Sequence, residues 1–229
     1  MIYLLTPTGG RAEGLALLGE YLDAQTYTGL AKWIVVEDVD PASRIPQTRF
    51  ETEVIRPAWR WQPGMNTQAK CLLAGLELVP DGSTILILED DDAYLPNYLQ
   101  ATVEAMHTAD LVGEAPSRYY NVATSRWRVM GSRGHASLAC TDLRGPAVAL
   151  LREVCKGGSR RIDMDLWQKF RGAKRLLDTQ NTIGIKGLPG RAGIGVGHRS
   201  NFGEPDTTGM LRRWLGEYAD NYEIFRRAA

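Results

Sequence analysis

The chain has 229 residues, carries 27 Lys and Arg against 27 Asp and Glu for a formal net charge of zero, and is 44% hydrophobic. That length is enough for one large α/β domain with a substantial core, or two small ones, and the apolar fraction is ordinary for a globular protein. Three cysteines, Cys71, Cys140 and Cys155, lack C-x-x-C spacing, which argues against a disulfide framework or zinc site and leads us to expect a reducing cytoplasm.

The opening Met-Ile-Tyr-Leu-Leu-Thr-Pro-Thr lacks the basic start of a signal peptide, and no apolar stretch has bilayer-spanning length. Ile2 to Leu5 reads as a first strand, followed by Thr6-Pro7-Thr8-Gly9-Gly10-Arg11, where glycines let the backbone approach a ligand. Leu15, Leu18 and Leu22 recur at helical spacing. Trp33 to Val36 is a second strand, ending in Glu37, Asp38 and Asp40. Segment 41–63 reads as irregular. From Asn66, a favoured N-cap, Ala69, Leu72, Leu73, Leu76 and Val79 form an apolar helical stripe.

Ile85 to Leu88, bounded by Pro80-Asp81-Gly82-Ser83, reads as a buried strand of a parallel sheet. Four acids follow at once: Glu89, Asp90, Asp91 and Asp92. Carboxylates packed this closely repel one another unless something positive sits among them. Mn²⁺ or Mg²⁺ takes such hard oxygen ligands; a solvated acidic turn before the next helix is the alternative.

A helix from Pro96 carries Leu99, Val103 and Met106 on one face. Beyond it, Ala109 to Val112 and Leu138 to Cys140 read as short strands. Pro146 opens a helix with the stripe Ala147, Leu150, Leu151 and Val154, and Asp163 or a neighbour opens another with Leu166, Trp167 and Phe170 inward. Segment 184–203 holds seven glycines and reads as extended, and an amphipathic helix starts at Met210. The alternation predicts a single α/β domain with a mostly parallel central sheet flanked by helices.

Strand-Thr-Pro-Thr-x-x-Arg, strand-Glu-Asp and strand-Glu-Asp-Asp-Asp-x-x-x-Pro, in this order, resemble the GT-A fold glycosyltransferases, family 2 especially. The resemblance implies a Rossmann-like GT-A domain. Residues 1–112 would bind a nucleoside diphosphate sugar, foremost a UDP-sugar, and residues 113–229 would supply the acceptor site and the base. Thr6, Pro7, Thr8, Arg11 and either Glu37 or Asp38 would hold the nucleoside. The D-x-D motif would be Asp90-x-Asp92 or, with a substitution, Glu89-x-Asp91, with Asp92 on the metal and Asp90 or Asp91 near the ribose. Lys70 and Arg199 are candidates to neutralise the leaving diphosphate.

Arg161-Ile-Asp163-Met-Asp165-Leu-Trp167 is similar to the family's E-D-x-D-L-W segment, with Ile162 in place of the Glu. It implies Asp163 as general base of an inverting transfer; a helix-capping role is the other reading. His198 matches a late histidine that several GT-A enzymes use as a metal ligand, with a structural histidine as the alternative.

Residues 1–117 carry 17 acids against 7 cations, whereas residues 118–191 carry 5 against 15. Such a basic half fits a polyanionic acceptor, either nucleic acid or a lipid phosphate, or else a solvated basic face. DNA bearing a hydroxymethylated base is the acceptor we expect, with a glycan or lipid phosphate as alternative. Arg126, Trp127, Arg128, Arg133, Arg160, Arg161 and Asp165 would contact it, and Trp127 would fill the gap left by a flipped base. Two rivals remain. A nucleotidyltransferase shares the metal and nucleotide logic, but no lysine follows Gly9-Gly10-Arg11 in its loop. A non-catalytic nucleic-acid-binding module would leave the acids at the strand ends unexplained.

Overall fold

In the computed structural model the first half forms β1 (Ile2–Thr8), α1 (Ala12–Asp23), β2 (Ala31–Glu37), β3 (Glu51–Ile55), α2 (Gln68–Leu76), β4 (Thr84–Ile87), β5 (Ala93–Tyr94) and α3 (Tyr98–Ala105). The second half forms β6 (Leu111–Glu114), β7 (Ser117–Asn121), β8 (Arg126–Met130), β9 (Thr141–Arg144), α4 (Pro146–Lys156), α5 (Ile162–Lys169), β10 (Lys174–Leu177), β11 (Thr182–Lys186), β12 (Glu204–Pro205) and α6 (Met210–Leu215). The structure describes residues 1–131, 134–191, 193, 195–199 and 201–225.

Seven strands make the central sheet in the order β10-β6-β9-β4-β1-β2-β3. Only β9 runs antiparallel to its neighbours in it. Every residue of β1 is buried, as expected of a strand covered on both faces, which is why Ile2 to Leu5 is a continuous apolar run. Leu15, Leu18 and Leu22 of α1 and Leu72 and Leu76 of α2 are buried in the same core. Gly75 of α2 sits directly on Leu5 and Val36, where a Cβ would collide.

Several elements depart from the sequence reading. The segment expected to be irregular contains edge strand β3, whose Glu51 and Glu53 both pair with Lys32. Leu138–Cys140 is a 3₁₀ turn, and the strand follows it as β9. The helix expected from Asn66 starts at Gln68, with Asn66 Oδ1 accepting the Gln68 N–H at 3.2 Å. After α6 the chain tightens into 3₁₀ geometry over Gly216–Phe225, and Tyr222 meets Tyr21 of α1 through their hydroxyls at 3.0 Å. The 112/113 division runs through β6, and β9 and β10 complete the sheet begun by the first half.

From β1 the chain runs outward to β2 and β3, then returns to β4 on the other side of β1. The carboxyl ends of β1 and β4 therefore flank the point where the strand order reverses, where open α/β sheets bind ligands. Gly9 to Arg11 leaves one of these ends, and the four acids follow the other.

A second sheet, ordered β12-β8-β7-β11-β5, is joined to this point because β5 directly follows the acids. β11 pairs antiparallel with β5, Thr182 opposite Tyr94 and Ile183 opposite Ala93. Continuing that register carries Ile185 and Lys186 alongside the acid turn, and the Ile185 N–H donates to Asp92 Oδ1 at 2.9 Å.

The turn is locked to β1 by Asp90, which is 1% exposed. Thr8 Oγ1 donates to Asp90 Oδ2 at 2.6 Å, and Arg11 Nε donates to Oδ1 at 3.0 Å while its Nη2 pairs with the same oxygen. Burial works against the Arg11 charge, but Asp91 and Asp90 outweigh it and raise its pKa above the usual arginine value. Arg11→Met should destabilise the fold by about 3 kcal/mol, because it leaves a buried carboxylate without its cation. Adding Asp90→Asn should recover part of that loss in urea denaturation.

Gly14, in the first turn of α1, lies against the Asp90 carbonyl, where a Cβ would overlap the oxygen. Alanine is intrinsically better in a helix by about 1 kcal/mol, yet overpacking costs about 1–3 kcal/mol. Gly14→Ala should thus lower the melting temperature despite its helical preference.

Candidate active site

A cavity of about 470 Å³ opens at the carboxyl ends of β1 and β4. Pro7, Gly9 and Arg11 line it from the first loop, and Glu89, Asp91 and Asp92 from the acid turn. The turn at Ser137 to Ala139, with Arg160 and Asp163, faces it from the second half. Lys186, Arg191 and His198 reach it from β11 and the segment after it.

Glu89, Asp91 and Asp92 each place a carboxylate oxygen within 4.8 Å of the other two. Lys186 Nζ lies 2.8 Å from Asp92 Oδ1 and 3.6 Å from Asp91 Oδ2, and Arg11 Nη1 lies 3.5 Å from Asp91 Oδ2. Burial opposes the Lys186 charge, but Asp91, Asp92 and Glu89 together raise its pKa, so the proton stays on the lysine. Burial also resists ionisation of Asp91, yet Lys186 and Arg11 overcome it and hold that carboxyl below its usual range.

Burial pushes the Glu89 carboxyl up to about 7, with Lys186 pulling the other way. Gln68 Nε2 donates to Glu89 Oε1 at 2.6 Å. Tyr94, fully buried, accepts the Glu89 N–H at 2.8 Å and donates to the Ala139 carbonyl at 2.9 Å, so one phenol ties the acid turn to the opposite wall.

Counted as formal charges, four carboxylates face two cations. Arg11 lies closest to Asp90 and Lys186 to Asp92, and both reach Asp91 at longer range, so the two cations do not cancel the formal charge of the cluster. Hard oxygen donors in this number suit Mg²⁺ or Mn²⁺. The residues therefore fit a divalent ion. His198 is not part of the three-carboxylate group, but it lines the same cavity. Burial first, then the Lys186 charge, lowers its pKa to about 4, so the imidazole is neutral at pH 7.

Asp38 and Glu37 point to different surroundings, as successive residues at a strand end do. Glu37 accepts the Ser43 N–H at 2.6 Å and pairs with Arg56 at 2.9 Å. Asp38 is bonded by Thr67, contacts Cys71 Sγ at 3.7 Å and pairs with Arg191 at 3.0 Å. Arg191 also lies over the Trp61 ring, 5.0 Å from its centroid. Thr67, Cys71, Trp61 and Arg191 all line the cavity.

The other residues singled out in the sequence are more scattered. Thr6 is buried and accepts the Trp33 indole N–H at 2.9 Å. Lys70 is exposed, 5.7 Å from the Trp59 ring centroid, and Arg199 is exposed. Asp163 lies in the first turn of α5, while the cap position falls on Arg161 and, among the described residues, no side chain caps the helix. Asp165 pairs with Lys169 at 3.9 Å. Arg126 donates to the Gly203 carbonyl at 2.7 Å, and Trp127 packs edge-on against Trp214 with centroids 5.7 Å apart. Arg128 and Arg161 are exposed, and Arg133 lies outside the described residues.

Sequence reasoning missed Lys186, Arg191, Gln68 and Tyr94. For Lys186 a signal existed: it is a lone cation closing the apolar run Ile183 to Ile185, at a strand end like the acids themselves.

No protein-family model and no curated protein matches the sequence. Solved structures do match. A crystal structure of S. aureus TarS residues 1–349 superposes with a TM-score of 0.57 at 14% identity, over 81% of this chain and 60% of that one. The same protein in complex with UDP gives a TM-score of 0.57 at 13% identity, again over 81% and 60% of the two chains. In complex with UDP-GlcNAc it gives 0.58 at 14% identity, over 84% of this chain and 60% of that one. The chain thus spans about 60% of the length of these TarS structures. Shared topology, at an identity too low to carry more, shows that this chain has the GT-A glycosyltransferase fold.

Proposed function

We propose that the chain is a glycosyltransferase that moves a sugar from a nucleoside diphosphate, UDP foremost, to an acceptor hydroxyl. The observation that carries this reading is the cavity shared by Glu89, Asp91 and Asp163 at the reversal point of the sheet. The UDP and UDP-GlcNAc complexes of TarS, which has the same fold, support the choice of donor.

In this reading Asp38 and Trp61 border the nucleobase, and Arg191 moves aside as the base enters. Glu89 and Asp91 would hold a divalent ion, with His198 as a neutral neighbour and Asp92 kept in place by Lys186. When bound, the ion acts as a Lewis acid on the diphosphate. Asp163 accepts the proton of the acceptor hydroxyl as its oxygen bonds the anomeric carbon. The C1–O bond breaks in the same displacement, its electron pair leaves with the diphosphate, and the anomeric centre inverts.

For the acceptor we propose a hydroxyl carried on an anionic molecule, admitted past Arg160 on the Asp163 side of the cavity. The basic half supports this less broadly than its charge count implies. Arg118, Arg126, Arg152 and Lys174 all donate to backbone carbonyls within the fold. Arg160, which lines the cavity, and the neighbouring Arg161 are both exposed. Duplex DNA with a hydroxymethylated base is the first acceptor to try, against plain duplex and in a salt series; equal indifference to both duplexes at low salt would remove DNA from consideration.

Calorimetry should show UDP binding, strengthened by Mn²⁺. Asp163→Asn should reduce transfer from a UDP-sugar by about 100-fold or more while leaving UDP affinity unchanged; turnover at the normal rate would remove the base assignment. Asp91→Asn should weaken Mn²⁺ binding by about tenfold, the loss of one charged contact, measured by the paramagnetic signal of free manganese.

A further inference from the structure

Lys186 is placed by the fold where a divalent ion would otherwise have the carboxylates to itself. The register of β11 against β5 sets its position, and its ammonium contacts Asp92 at 2.8 Å and Asp91 at 3.6 Å. Asp92 and Lys186 both line the cavity, together with Arg11 and Asp163, so the ammonium stands within reach of a ligand that enters it. Its side chain passes along Gly197, where a Cβ would come within 3.0 Å of Lys186 Cγ, and its Nζ lies 5.9 Å from the Tyr119 ring centroid. An ammonium has three N–H donors, and the hydrogen bond to Asp92 uses one.

Resting on the donor reading above, we propose that Lys186 is a second cation of the diphosphate site. It shares the donor's phosphates with the divalent ion and, by occupying Asp91 and Asp92, weakens the ion's hold on the empty site. The two effects follow from one charge. Without nucleotide the ammonium competes with the ion for the same oxygens; with nucleotide it faces phosphate oxygens and adds to their binding. The site then takes up ion and nucleotide together more readily than the ion alone.

Removing the charge should move the two affinities in opposite directions. Lys186→Met should bind Mn²⁺ alone about tenfold more tightly and UDP, at saturating Mn²⁺, about tenfold more weakly, as expected for one charged contact. Lys186→Arg, which keeps the charge, should retain most of the UDP affinity. Wild-type protein should also keep weak UDP binding in EDTA, a measurement that stands even if Lys186→Met fails to fold. Loss of all UDP binding in EDTA would overturn the proposal, as would a folded Lys186→Met whose two affinities are unchanged or fall together. If the wild type binds no UDP even with Mn²⁺, the donor reading itself fails, and this inference with it.

Discussion

Four acids in a row can end a buried strand only because two cations from distant sequence are folded in among them. Arg11 stands 79 residues before Asp90, and Lys186 stands 94 residues after Asp92. Neither partner is available until β1, β4 and β11 have come together. Leaving such a carboxylate buried without its cation costs several kcal/mol, so the acid turn opposes the fold while the chain is incomplete and ties it together once complete. The small sheet acquires its purpose here. It brings β11 back beside β5 and so delivers Lys186 to the turn, where it and Arg11 both reach Asp91.

The same arrangement gives Asp90 and Asp92 a structural task apart from Glu89 and Asp91. Asp90 turns into the β1 loop, where Thr8 and Arg11 satisfy it, and Asp92 turns towards β11, where the Ile185 N–H and Lys186 satisfy it. Each of these two tethers one neighbouring element. Glu89 and Asp91, held in place by these neighbours, line the cavity together with Asp92. The carboxylates are oriented by bonds made within the fold, and groups oriented beforehand stabilise charge with little reorganisation.

The sequence made the first half legible because its strands are buried on both faces and its helices carry uninterrupted stripes. β1, β2 and β4 show as apolar runs, and α1 and α2 show as leucine spacing. β9 was hidden because Thr-Asp-Leu-Arg offers one apolar residue, and its buried Asp142 is satisfied by the Tyr98 hydroxyl at 3.0 Å, a partner that no local pattern announces. β3 was hidden because it is an edge strand rich in Glu. In the site, the acids were visible as a run, but their division of labour was not. Which carboxylate faces a cation depends on pairing between segments far apart in the chain, and composition carries no trace of that.

Charge counting fails for the same reason. Fifteen cations between residues 118 and 191 look like one surface for a polyanion, but the fold draws several of them inward. Arg118 reaches the Gln180 carbonyl, Arg152 reaches that of Leu76, and Lys174 reaches that of Trp167. Arg144 pairs with Asp110 at 3.2 Å, and Lys186 belongs to the acid turn. A guanidinium or ammonium bonded to a main-chain carbonyl keeps its charge but loses the freedom to follow a phosphate backbone. In the function proposed above, Arg160, which lines the cavity with Asp163, would act at short range on whatever group presents the hydroxyl. Selectivity of that kind reads the immediate surroundings of the reacting oxygen, and a long electrostatic track is not required for it.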